Sequence, residues 1–424
     1  TGVLETAAAG ESSMADEANV DLLRTPNAEE LFGPALTSMG GLIRSWQLGE
    51  GEGLATAGER SLNDLRNSLR RYVTAPEVVL SISALDPRAS AVEQFAASAD
   101  AVSIRLPSTV PTRVLPRQLA PSDESAGQSG SRSIGRWLEM DPPEAGVPAA
   151  QRIAETARRL VIARALGLDR VYVPAPFELS ESGGDAAWQP TEDYIALRTL
   201  YHVLGGKRAV AAMPLLREHA IAIVFVGERD TAIVAWTWRD QAIAEPVELY
   251  LGSAVKALDL FGQPIALNTH EGRTLVPLRP QPILLTSVEA PLARLQASFR
   301  VAPTYVQRHD TEPASVLSFE NHFDQELSGT IEFVLPPYWR IAPKSIGFKL
   351  APGERFSHAL SFTLPPREYA GARPVGIRVQ LNRPVTQLLD FRVPITVGLR
   401  DVRIDVRTHW NEHTLIVEQS LHNE

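Results

Sequence analysis

Two periodicities of apolar and polar positions run along this chain, and the change from one to the other falls near residue 206. Before it, short apolar runs rich in β-branched residues alternate with longer stretches in which apolar residues return every three or four positions. The runs are 42–48 (LIRSWQL), 78–83 (VVLSIS), 101–106 (AVSIRL), 135–140 (GRWLEM) and 170–174 (RVYVP). The longer stretches, at 28–39, 55–73, 91–97, 149–166 and 191–204, predict helices, and Gly205-Gly206 closes the last of them. Strand followed by helix, repeated, predicts a parallel sheet with helical crossovers and strands buried on both faces. Five strands are too many for a helical bundle. They are too few for a complete (β/α)8 barrel, which usually needs ~250 residues; if the sheet belongs to a barrel, the chain holds only its later part.

Past residue 207 the helical period fades and strands separated by turn residues take over. Runs at 220–226, 231–238, 247–251, 254–260 and 274–277 predict a small antiparallel β domain over 207–290. Further runs at 316–319, 328–334, 345–350, 358–364 and 376–381, with proline-rich turns, predict an immunoglobulin-like β-sandwich over 291–400. Residues 402–406 and 414–419 read as a hairpin opening a further β domain over 401–424. The expected fold class is therefore multidomain, α/β over 1–206 and then all-β. An open parallel edge on a five-stranded sheet leads us to expect a preceding segment, absent from the chain or supplied by another, that completes the barrel.

Composition narrows the chemistry. The chain has 424 residues, enough for two to four domains of ~100–200 residues. Its formal charge is −9, without a long basic run, which argues against a nucleic-acid partner. No apolar run approaches the ~20 residues of a transmembrane helix. Cysteine is absent, which excludes disulfides, thiolate zinc sites and cysteine nucleophiles. The nine histidines are scattered and no H-E-x-x-H pattern occurs, so no metal is expected. Walker, G-x-G-x-x-G and G-x-S-x-G patterns are also missing. Thr1 is not a start methionine and no signal segment follows it, so the chain reads as processed, trimmed or part of something longer.

Several short patterns in a fixed order carry a family resemblance. Trp137-Leu138-Glu139 ends an apolar run. Ala150-Gln151-Arg152, with Ala157-Arg158-Arg159, follows on a long helix. Gly167-Leu168-Asp169-Arg170-Val171-Tyr172 comes next, then Pro190 with Tyr194, Ala196, Leu197 and Leu200. Over about 42–206 this order resembles the later part of a clan A glycoside hydrolase barrel. Asp259-Leu260-Phe261-Gly262 and Pro282-Ile283-Leu284-Leu285 resemble the small β domain that follows many such barrels. Pro336-Pro337-Tyr338-Trp339 and Pro352-Gly353-Glu354 resemble a β-sandwich module found beside carbohydrate-active enzymes.

The resemblance implies a retaining mechanism with Glu139 as nucleophile at the end of the seventh barrel strand. Its acid/base partner is expected from the fourth strand, whose family pattern is W-x-x-W-N-E. This chain reads Trp46-Gln47-Leu48-Gly49-Glu50-Gly51-Glu52 there. Strict alignment puts Glu50 on the asparagine and Gly51 on the acid, with Glu52 one position later. Either Glu50 or Glu52 shifts into place, or the acid has been lost. Trp188, Trp137 and Trp46 are candidate platforms for apolar sugar faces; Trp46 and Trp137 fit a core role equally. Trp236 and Trp238 share one strand face, which points to packing. Asp86, before Pro87, reads as a turn residue. The resemblance further implies an extracellular, cell-surface or periplasmic polysaccharide as partner and no cofactor. Two rival readings stay open: a catalytically inactive barrel serving as a carbohydrate-binding or cell-envelope protein, and an assembly subunit joined through its β modules.

Overall fold

The computed structural model describes residues 2–4, 43, 45–48, 66–67, 69–71, 73–84, 99–119, 134–144, 146–180, 187–215, 219–228, 230–239, 245–270, 273–307, 315–365, 368–382, 387–398, 402–411 and 414–423. Strands predominate over helices among them. The predicted helices at 28–39 and 91–97, most of that at 55–73, and Asp86 lie outside the described residues. Contacts divide the chain into two compact units, Thr1–His202 and Val203–Glu424.

The first unit is built on one parallel sheet. Its strands are β1 (Gly2–Leu4), β2 (Ser45–Leu48), β3 (Glu77–Ser83), β4 (Ala101–Leu106), β5 (Gly135–Met140) and β6 (Arg170–Tyr172), side by side in chain order. Five follow the apolar runs of the sequence. The sixth, β1, pairs parallel to β2 and was not expected, because three residues are too few for a period to show. Two short strands, β7 (Phe177–Ser180) and β8 (Ala187–Pro190), add an antiparallel hairpin after β6, where the sequence predicted a loop.

Register sorts the side chains into two faces. Gln47, Val79, Ala101 and Gly135 are successive partners, as are Ser81, Ser103, Trp137 and Arg170, and then Ser83, Arg105, Glu139 and Tyr172. This face holds most of the polar groups. The alternate positions Val78, Leu80, Ile82, Val102, Ile104, Leu106, Leu138 and Met140 are buried and apolar, as expected for a sheet covered on both sides.

Helices α1 (Leu115–Leu119), α2 (Ala149–Ala165) and α3 (Glu192–Leu204) belong to the α/β region. Helix α2 opens after Pro148 and buries Ile153, Ala154, Ala157, Val161 and Ile162 along one stripe. It ends in a Schellman motif: Leu168 N–H donates to Ala163 O at 3.1 Å and Gly167 N–H to Arg164 O at 3.1 Å. Gly167 sits at φ +70°, a left-handed conformation that a side chain would oppose. Asp169 then anchors the next strand by accepting the Arg136 N–H at 2.7 Å. The G-L-D-R-V-Y pattern is thus a helix stop followed by a strand start.

In the second unit, one six-stranded sheet is centred on Thr231–Thr237, Ala220–Val226 and Ile283–Thr286, and a three-stranded sheet on Arg273–Leu278. Met213, Val224, Ile233, Val276 and Leu285 are part of their common core. Trp236 is buried and meets Trp238 edge-on, with ring centroids 5.4 Å apart, so this pair packs. Farther along, a four-stranded sheet and a five-stranded sheet enclose one core. Leu317, Phe319 and Leu360 come from the first, and Ile331, Phe348, Val379 and Phe391 from the second. Between these two cores lies α4 (Ala290–Ser298), for which the sequence predicted no separate element within a region read as all-β. Its Leu292 and Leu295 join the later core, while Ala293 and Ala297 join the earlier one. Nine residues buried on two sides show no clean amphipathic stripe, which is why the helical period was missed. The final hairpin pairs Val402–Asn411 with Thr414–Asn423, longer than predicted.

Candidate functional site

Glu139 occupies the last turn of the pleat in β5, on the polar face and at the C-terminal end of the strand. Its neighbours in the row are Arg105 of β4 and Tyr172 of β6. Two positions earlier on the same face, Trp137 packs with Val79, Ala101 and Tyr172 as a small core. That cluster takes Val79 and Ala101 from the row below Trp137 and Tyr172 from the row of Glu139, so apolar and ionisable side chains share this face.

The Gln47 side chain donates from Nε2 to Glu139 Oε2 at 3.0 Å. Gln47 is on β2 and Glu139 on β5, with β3 and β4 between them. In a flat sheet those backbones would stand ~14 Å apart, three spacings of ~4.8 Å. Side chains perpendicular to a sheet do not close that gap. The sheet therefore curls, with the polar face concave, as in part of a barrel. Beside the pair, Arg105 Nε donates to Asp141 Oδ1 at 2.7 Å, which holds the residue after β5 over the strand ends.

The proposed sugar platforms fall in different settings. Trp137 is only 2% exposed. The Arg170 guanidinium lies 4.4 Å from its ring centroid and the Tyr172 ring 5.8 Å away, so it is a core residue with no open face for a pyranose. Trp46 lies in β2 beside Val78, in alternation with Gln47. Trp188 is 69% exposed on β8, directly across from Leu179. Phe177 on the same hairpin face meets the Tyr194 ring of α3 in a tilted contact at 5.1 Å, so Trp188 belongs to an exposed apolar patch. Glu50 and Glu52 lie outside the described residues.

A cleft of about 360 Å³ opens near the same strand ends, lined by residues after β4, residues after β5 and the start of α2. Several of its polar groups pair with one another. Arg159, nearly fully buried, donates to Ser108 O at 2.8 Å and Val110 O at 2.7 Å, and to Glu155 at 3.2 Å. Glu155 also accepts from Thr112 and Arg158. Burial alone would raise the Glu155 pKa, but these bonds and the two guanidinium charges outweigh it and hold the carboxyl below the usual range. Arg152 at the cleft edge is paired with Asp193 at 2.7 Å.

Sequence reasoning missed Gln47. The signal was present in the alternation over 42–48, which sets Gln47 on the face opposite Trp46 and Leu48. Only the curl of the sheet brings it to Glu139. Among the described residues, no group of three or more acidic, His or Cys side chains forms a metal site, and no helix is long and apolar enough to cross a membrane.

No family model matches this sequence, and neither does any curated protein. Among solved structures, the chain is similar to a family 39 glycoside hydrolase from the gut symbiont Bacteroides cellulosilyticus WH2. Identity is 13% and TM-score 0.46, over 62% of this chain and 63% of that one. It is similar to a family 30 endoxylanase from Clostridium papyrosolvens C71, at 12% identity and TM-score 0.41, over 62% and 72%. An alpha-amylase from Anoxybacillus matches at 13% and 0.39, over 65% and 68%. The chain thus spans 63% of the length of the family 39 enzyme.

Proposed function

We propose that this chain carries part of a glycoside hydrolase-like barrel that cleaves an extracellular, cell-surface or periplasmic polysaccharide by a retaining mechanism. One observation carries the reading: Glu139 stands at a C-terminal strand end on the concave polar face, the place where barrel active sites collect. Glu139 is the nucleophile. Its carboxylate forms a bond to the anomeric carbon as the glycosidic C–O bond breaks, and the electron pair leaves with the aglycone oxygen. That oxygen takes its proton from a second carboxylic acid ~5–5.5 Å away, for which Glu50 or Glu52 is the candidate. The same group then draws a proton from water, which hydrolyses the glycosyl ester. No cofactor takes part. Trp188 offers the exposed aromatic face for a sugar ring.

The small β domain over 207–290, the immunoglobulin-like sandwich over 291–400 and the opening β domain over 401–424 serve as accessory modules in this reading. Reducing-sugar release from a broad polysaccharide panel, measured for the parent and for Glu139→Gln, tests it. Loss of ~10³-fold or more assigns the nucleophile; unchanged activity removes Glu139 from the reaction. A second reading is favoured by one contact: among the described residues, the group meeting Glu139 is the amide of Gln47, not a second carboxylate. It makes the barrel a non-catalytic carbohydrate-binding or cell-envelope protein. It predicts binding to a glycan without release of reducing ends.

A further inference from the structure

We propose that Gln47 is a positioning residue, setting which oxygen of Glu139 attacks; this rests on the reading of Glu139 as nucleophile. Gln47 is 6% exposed, and its strand gives it little freedom to turn away. It donates one hydrogen bond, to Oε2. That bond holds the carboxylate at Oε2 and, among the described residues, leaves Oε1 unbonded. An attacking carboxylate needs that asymmetry. One bond fixes rotation about the last side-chain torsion, which is otherwise broad, and the open oxygen keeps its lone pair for the anomeric carbon.

The residue type matters as much as the place. A guanidinium or ammonium here would engage the carboxylate as an ion pair and draw charge from the attacking oxygen. A second carboxylate at 3.0 Å would compete for the proton, since two such groups do not both ionise. An amide donates without a charge and without titrating. Its neighbours on the polar face, Ser81 and Ser103, are buried and equally neutral. Among the described residues, the ionisable groups near Glu139 are Arg105 and Tyr172 in its own row, Asp141 after β5, and Arg170 at the start of β6.

The test uses the full chain and three variants: Gln47→Leu, Gln47→Glu, and the exchange Gln47→Glu with Glu139→Gln. Chemical denaturation of each at pH 4 and pH 7 reads the contact without reference to catalysis. Gln47→Glu is expected to lose stability at pH 7 and recover much of it at pH 4. The exchange, which restores one amide and one carboxylate, is expected to recover it at pH 7. Steady-state kinetics on the best substrate of the polysaccharide panel read the role. Gln47→Leu is expected to lower kcat by up to ~10²-fold with KM within about two-fold, as for a misplaced reacting group. Gln47→Glu is expected to move the acid limb of the pH–rate profile to higher pH.

Failure of the exchange to restore stability overturns the contact. An active parent with unchanged kcat in Gln47→Leu overturns the positioning role and leaves the glycosidase reading intact. An inactive parent, with stability restored in the exchange, ends the glycosidase reading and the positioning role with it, while the contact stands.

Discussion

Replacing Arg159 by Met keeps most of the apolar stem and removes the guanidinium that ties the segment after β4 to helix α2. In the parent that group donates to two backbone carbonyls, at 2.8 and 2.7 Å, and to Glu155 at 3.2 Å, from a nearly fully buried position. Hydrogen bonds to a charged group contribute ~1.5–3 kcal/mol each, and two carbonyls would be left dry. Glu155 keeps Arg158 and Thr112, and the Met side chain recovers some apolar burial. Breaking a buried charged network in this way costs ~3–5 kcal/mol. Hydrogen exchange read by mass spectrometry suits a chain of two compact units, because peptides covering β4 and α2 report separately from the second unit. At ~1.4 kcal/mol per ten-fold, the most protected amides there should exchange about 10²- to 4 × 10³-fold faster. Glu155→Gln, alone and combined with Arg159→Met, should show a coupling of at least ~1 kcal/mol. An acceleration under ten-fold, or additive single effects, would refute the claim that Arg159 holds this cleft together.

Glu155 and Glu368 should both make the protein acid-sensitive. The Trp339 indole N–H at 2.8 Å, with Arg373 at 2.9 Å, holds Glu368 below the usual carboxylate value of 4.5, and Glu155 is also below it. A carboxyl lowered in the folded state contributes stability above the unfolded value of ~4.5, lost as pH falls through the folded value. Thermal melts from pH 7 to pH 3 should therefore fall below about pH 4.5, and less steeply in Glu155→Gln and Glu368→Gln. Trp188→Ala, at a site 69% exposed, should change stability by no more than ~0.5 kcal/mol and weaken binding of a cleaved polysaccharide by up to ~10-fold in calorimetry. Unaltered binding would remove Trp188 from the sugar site.

Period and punctuation in the sequence were enough for the central architecture of the first unit. The runs at 78–83, 101–106 and 135–140 became β3, β4 and β5 almost residue for residue, because strands buried on both faces are continuous apolar stretches. The stretch at 149–166 became α2, since a long amphipathic helix ended by a left-handed glycine carries two independent signals. Alternation along β5 sets Glu139 on the same face as Trp137.

Elements too short or too fully buried to show a period needed the folded chain: β1 with three residues, the β7–β8 hairpin, and α4 pressed between two cores. The candidate site needed it even more. Whether Trp137 is a platform or a core residue depends on Arg170 and Tyr172, which come from another strand. Gln47 and Glu139 are 92 positions apart, and no local pattern relates them. Local sequence dictates which face a side chain takes, because that depends on the pleat alone. The partner it meets depends on how far the whole sheet curls, a collective property that no short run of residues encodes.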